Sequence, residues 1–154
     1  MASVHDVAAY ILERHGPMTA MKLQKLVYYS QAWSLVWDEQ ALFPERIEAW
    51  ANGPVVPALY AKHRGKFSVD RGALPDGNPE ALGKDGTETV DGVLGFYGPK
   101  SAEWLSDLTH KELPWKLARV GVGEMENSDR EITLDSMAEY YTRVAELAQT
   151  APAT

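Results

Sequence analysis

Residues 20–37 form a single uninterrupted helical pattern, and a stretch of that length dictates most of what can surround it. Thr19 is placed to cap it, and Leu23, Leu26, Val27, Ser30, Trp33, Ser34 and Trp37 recur at intervals of three or four. This is the strongest helical signal in the chain. The chain is 154 residues long and 45% hydrophobic, enough for one domain with a sizeable core.

Other helices are expected on both sides. Ser3 can cap a helix over 4–15, with Val4, Val7, Ala8, Ile11 and Leu12 on one stripe and Gly16-Pro17 stopping it. Residues 47–51 read as a short extended piece running into the Asn52-Gly53-Pro54 turn. Pro54 or Pro57 can then open a short helix through Leu59 and Tyr60 to about His63. Seven glycines and prolines between Gly65 and Gly86 argue for an exposed loop, with a short strand at 67–69. Helical patterning resumes over about 87–97, 101–108, 114–119 and 134–148. The reading is a mainly α, compact, single-domain bundle of six or seven helices with a minor short β element. It spans residues 1–149, and a tail at 150–154 is expected to fray.

Several function classes are disfavoured at once. There is no apolar run of membrane-spanning length, and the first residues lack the layout of a secretory signal. No cysteine is present, which excludes a disulfide framework, a thiolate nucleophile and cysteine-ligated zinc, and fits the cytoplasm. The net charge is −7, with the excess in the second half: eight basic and eight acidic residues fall in 1–77, seven and fourteen in 78–154. An acidic chain gains little from counterion release on nucleic acid, although a local basic patch could override the average, so a nucleic-acid-associated regulator stays an alternative, as does an uncharacterised enzyme.

No pattern for chemistry stands out. The four histidines show no HExxH spacing, and neither a phosphate-binding glycine motif nor a GxSxG elbow occurs, so no metal, cofactor or catalytic residue is expected. Three weaker constellations remain. Asp107 could orient His110, although a core-linking histidine is the plainer reading. Lys22 and Lys25 share a helix face near Tyr28 and Tyr29, as a binding face or as solvated, snorkelling lysines. Lys62, His63, Arg64, Lys66 and Arg71 could form a basic patch for phosphate or acidic protein, or a charged loop. Most of the five tryptophans fit core packing, with one or two left to anchor an interface.

Three blocks in order carry a family resemblance: Lys22-Leu23-Gln24-Lys25-Leu26-Val27-Tyr28-Tyr29-Ser30-Gln31; Glu48-Ala49-Trp50-Ala51-Asn52-Gly53-Pro54-Val55-Val56 followed by Leu59-Tyr60; and 105–119 with Thr109-His110 and Pro114-Trp115. Together they resemble the Panacea domain, the SocA-like or GepA-like antitoxin family. That resemblance implies a non-enzymatic, cytoplasmic antitoxin, of the kind found in phage defence. It would neutralise a cognate protein toxin, encoded by an adjacent gene, through direct contact. One branch of the family instead resembles an adaptor delivering its toxin to a Clp-type protease. Under this reading Lys22, Lys25, Tyr28, Tyr29, Asn52 and His110 are candidate partner contacts. Leu23, Leu26, Trp33, Trp50, Gly53, Pro54, Tyr60, Pro114 and Trp115 are expected to set the fold.

Overall fold

The computed structural model describes residues 1–150. Helix α1, Val4–His15, begins at Ser3, whose hydroxyl accepts from the Asp6 amide while the Asp6 carboxylate accepts from the Ser3 amide, a complete capping box. Gly16 ends it at φ +94°. Helix α2, Ala20–Trp37, is capped by Thr19 and is the centre of the molecule: from Leu23 to Ser34 every side chain is buried. The stripe read from the sequence is therefore too narrow, because helices cover α2 on all sides.

An all-round buried helix must settle its polar side chains internally. Ser30 donates to its own turn at Leu26 O (2.8 Å) and Ser34 donates to Gln40 O (2.8 Å). Gln31 accepts from the Leu42 amide and donates to Phe43 O, fixing the chain that leaves the helix.

Strand β1, Met18–Thr19, pairs antiparallel with β4, Ser68–Val69. Strands β2, Ile47–Trp50, β3, Gly53–Val55, and β5, Glu131–Ile132, form an antiparallel sheet in the order β3-β2-β5. Helix α3, Pro57–His63, follows β3 with proline in its first turn. Helices α4, Gly83–Tyr97, α5, Ala102–Lys111, α6, Leu113–Ala118, and α7, Leu134–Thr150, complete the fold. Helices α4 and α7 make the most extensive packing against α2. The result is a mainly α single domain of seven helices with two small sheets.

Two expectations change. The 65–86 segment is irregular but not a free loop: Val69, Leu74 and Leu82 are buried, and 3-10 turns form at Arg71–Ala73 and Pro79–Leu82. Arg71 staples it, pairing with Glu13 of α1 (3.1 Å) and donating to Leu74 O and Gly77 O, while the Asn78 amide donates to Asp6. Helix α4 also begins four residues before the expected start, because the Pro79–Leu82 turn runs straight into it and Gly86 lets the helix approach Leu42. The expected fraying of the tail concerns 151–154, which lie outside the described residues, and Thr150, which is the last residue of α7.

Candidate functional site

The three sequence blocks converge on the chain between Ala49 and Pro54. Four consecutive carbonyls there each accept from a different side chain of the α5–α6 region. Arg119 donates to Ala49 O (2.8 Å), the Trp115 indole to Trp50 O (2.9 Å), His110 Nε2 to Ala51 O (3.0 Å) and the Ser106 hydroxyl to Asn52 O (2.9 Å). Ala49 and Trp50 end strand β2 and Ala51-Asn52 make the turn that follows, where ladder partners run short, and here side chains supply donors. His110 Nδ1 also faces Ser106 O at 2.6 Å, so both ring nitrogens are engaged by main-chain oxygens and the ring packs edge-on against Trp115. The pairing with Asp107 does not form, and the core-linking reading holds.

From the other side, α2 reaches the same turn. Gln24 accepts from the Val56 amide (2.9 Å) and directs its own amide at Val56 O and at His63 Nε2 (2.9 Å). Since that amide can only donate, His63 Nε2 accepts. Burial holds the His63 pKa below its usual value, consistent with this neutral role. Lys25 lies beneath Gly53-Pro54, only 1% exposed, with Nζ 3.5 Å from Pro54 O and, among the described residues, no carboxylate paired with it. Desolvation pushes its pKa down to about 8. Gly53 is required twice: its φ is +121°, and a Cβ there would meet Lys25 Cε at 2.5 Å.

Around this junction opens a cleft of about 570 Å³, whose wall includes Gln24, Lys25, Trp50, Asn52, Tyr60 and His63. Trp50 and Tyr60 meet edge to face at 4.9 Å. Residues from all three blocks of the family resemblance thus build either the cleft or the scaffold behind it.

The family model of the antitoxin SocA-like, Panacea domain matches residues 23–116. The chain belongs to this family. No curated protein and no solved structure matches it. The match begins inside α2 and ends inside α6, so it covers both sides of the 49–54 junction.

Within this Panacea domain the six candidate contacts separate. Lys25, Tyr28 and Tyr29 are buried, so they form no open contact face, and the snorkelling reading of Lys25 fails for the same reason. Lys22 is half-buried and donates to Gly98 O (2.7 Å), which holds the end of α4 to α2. His110 braces the turn. Asn52 alone presents an exposed side chain, and it shares the cleft wall with Lys25. Leu23, Leu26, Trp33, Gly53, Pro54, Pro114 and Trp115 are buried, and Trp50 and Tyr60 half-buried. The basic residues of 62–71 do not form one patch: His63 turns inward to Gln24 and Arg71 is spent on Glu13 and two carbonyls, leaving Lys62, Arg64 and Lys66 exposed.

A buried carboxylate was not singled out by sequence. Glu112, between α5 and α6, accepts from Tyr29 (2.6 Å) and Tyr141 (2.8 Å), and Tyr141 accepts in turn from Tyr28 (3.0 Å). Tyr97 stacks on Tyr29 at 4.2 Å and accepts from Trp33 (3.0 Å). Desolvation raises the pKa of Glu112 and of each of these tyrosines, Tyr97 to about 12. The cluster ties α2 to α7 through a polar knot with satisfied hydroxyls. The Tyr28-Tyr29 pair was its visible half; Glu112 and Tyr141 lie 83 and 112 residues further along from Tyr29.

A second concavity, about 430 Å³, runs between α6 and α7, lined by Leu113, Pro114, Leu117, Tyr140 and Val144 among others. Leu113 and Leu117 remain 52% and 54% exposed, and Val120 and Leu134 near the same helix ends are exposed too. Among the described residues no cluster of three or more histidines and carboxylates could hold a metal, and no helix is long and apolar enough to cross a membrane.

Proposed function

We propose that this Panacea domain acts in the cytoplasm as the antitoxin of a two-gene module, binding and neutralising the protein toxin encoded next to it without turning over a substrate. The observation that carries the reading is the groove between α6 and α7. Its leucines stand on a short helix whose register is fixed by Trp115 and Arg119, both buried and hydrogen-bonded to β2. A rigid apolar furrow with exposed leucines fits the mode in which a partner helix lays its apolar face into a groove. The Glu139–Arg143 pair (3.8 Å) flanks it with both signs of charge, a polar rim around an apolar centre.

Co-expression with the adjacent gene product tests this directly. Growth should be rescued and the two proteins should co-purify. Leu117→Glu should abolish both while leaving the domain folded, since this side chain is half exposed. Rescue without a complex refutes direct neutralisation, and loss of rescue with the complex intact refutes the groove.

A further inference from the structure

The cleft beside Lys25 shares no residue with the α6–α7 groove and has a chemistry of its own. The chain carries 22 acidic residues, yet none lines this cleft, whereas Lys25 and Lys66 do. The Lys25 ammonium carries three protons and, among the described residues, meets only Pro54 O, at 3.5 Å, the edge of hydrogen-bonding distance. An ammonium taken from water with so little return normally stands beside a carboxylate. The other inner polar groups cannot help it, because Gln24 and His63 are already engaged with each other and with Val56.

The outer part of the cleft is different. Asn52 and Asn127 line it with exposed side chains, and among the described residues neither carboxamide has a partner. Each offers one donor pair and one acceptor, the complement of a peptide group. Phe67, 82% exposed, and Met21, 41% exposed, flank the opening, and Trp50 with Tyr60 forms an aromatic wall inside.

We propose that this cleft binds an acidic peptide segment of a partner protein: an aspartate or glutamate side chain enters toward Lys25, an adjoining apolar residue packs on the Trp50–Tyr60 wall and under Phe67, and the peptide backbone pairs with Asn52 and Asn127. A small carboxylate would satisfy Lys25 but leave both rim amides and Phe67 uncovered, which is why the occupant is a chain segment. The volume accommodates two or three residues, within the range of sites that take ligands of that size. The site goes beyond toxin neutralisation through the α6–α7 groove and does not depend on it.

The test uses the intact domain and three probes: Ac-Phe-Asp-NH2, its neutral isostere Ac-Phe-Asn-NH2, and 3-phenylpropionate. Binding is followed by the NMR shifts of the Gly53 and Val55 amides and the Asn52 and Asn127 side-chain amides. The aspartyl peptide should move these signals and bind at least about 10-fold more tightly than the asparaginyl peptide, the effect of one charge-assisted hydrogen bond. Lys25→Met should erase that preference, and Asn127→Ala, an exposed position, should weaken both peptides alike. Equal binding of the two peptides, the absence of shifts at the cleft, or 3-phenylpropionate binding as tightly as the aspartyl peptide would each overturn the assignment. No toxin is involved, so none of these outcomes bears on the groove.

Discussion

Lys25→Met isolates the cost of holding a cation beneath the 49–54 turn. In the unfolded chain lysine titrates near 10.5, and in the folded protein near 8. Between those pH values the unfolded state holds the proton and the folded state releases it, so stability rises with pH across this window. The interval, at about 1.4 kcal/mol per pH unit, amounts to about 3 kcal/mol, a penalty fully present below pH 8 and gone above about 10.5. Methionine removes the charge and keeps most of the volume. It forfeits the long contact to Pro54 O and leaves a void the size of one heavy atom, together worth about 1 kcal/mol. The variant should therefore be more stable than the natural protein by about 2 kcal/mol at pH 7. The difference should shrink steadily from pH 8 to 10. Urea unfolding followed by circular dichroism at several pH values from 7 to 10 reads both quantities. Tyrosine titration affects the two proteins alike and cancels in the difference. A gap that stays constant from pH 7 to 10, or a natural protein that is the more stable at pH 7, would show that the ammonium is solvated or paired and would refute the reasoning.

Three other perturbations probe the scaffold. Glu112→Ala should cost about 2–4 kcal/mol in urea unfolding, because it strands the Tyr29 and Tyr141 hydroxyls, whereas Glu112→Gln keeps an acceptor and should cost far less. The raised Glu112 pKa carries its own signature: that group's contribution to stability is present in acid and declines as pH climbs through its folded value, so the gap between Glu112→Gln and the natural protein should shift in favour of the variant from pH 4 to 7. Gly53→Ala should destabilise by more than about 2 kcal/mol through its positive φ and the collision with Lys25 Cε, and a double-mutant cycle with Lys25→Ala should recover only the steric part. His110→Phe keeps the ring against Trp115 but leaves Ala51 O without its side-chain donor, while Ser106 O keeps the Thr109 hydroxyl, so a loss of about 1–2 kcal/mol in thermal or urea unfolding is expected, and no loss would refute the bracing role.

Local chemistry made the helices legible. Ser3 and Thr19 start their helices by the cap they supply, and Gly16 ends α1 by its backbone, all within a few residues of the helix each one bounds. The 65–86 segment is irregular and largely exposed, as its glycines and prolines suggest, but what orders it is distant: Glu13 and Asp6 of α1 hold Arg71 and Asn78, and no count of glycines and prolines reveals that. Three of the candidate contacts, Lys25, Tyr28 and Tyr29, are buried for a related reason. Helical spacing places Lys25 near Tyr29 on α2 but says nothing of how many helices surround α2. A lysine next to tyrosines reads as surface until Gly53, 28 residues later, is seen to lie on top of it.

What the three family blocks have in common is then a physical division of labour around one turn. Every carbonyl from Ala49 to Asn52 is met by a side chain of the third block, while the first block supplies Gln24 and Lys25 from below. A turn held by so many directional contacts has little freedom to adapt, so it suits a preformed cleft better than an induced one. The α6–α7 groove stands on the same supports, because Trp115 and Arg119 fix α6 to β2 with the donors that satisfy the turn. A substitution that loosens the turn, such as Gly53→Ala, should therefore weaken binding in the groove as well as in the cleft, whereas Leu117→Glu and Asn127→Ala should each affect one site alone. That asymmetry distinguishes a shared scaffold from two independent surfaces.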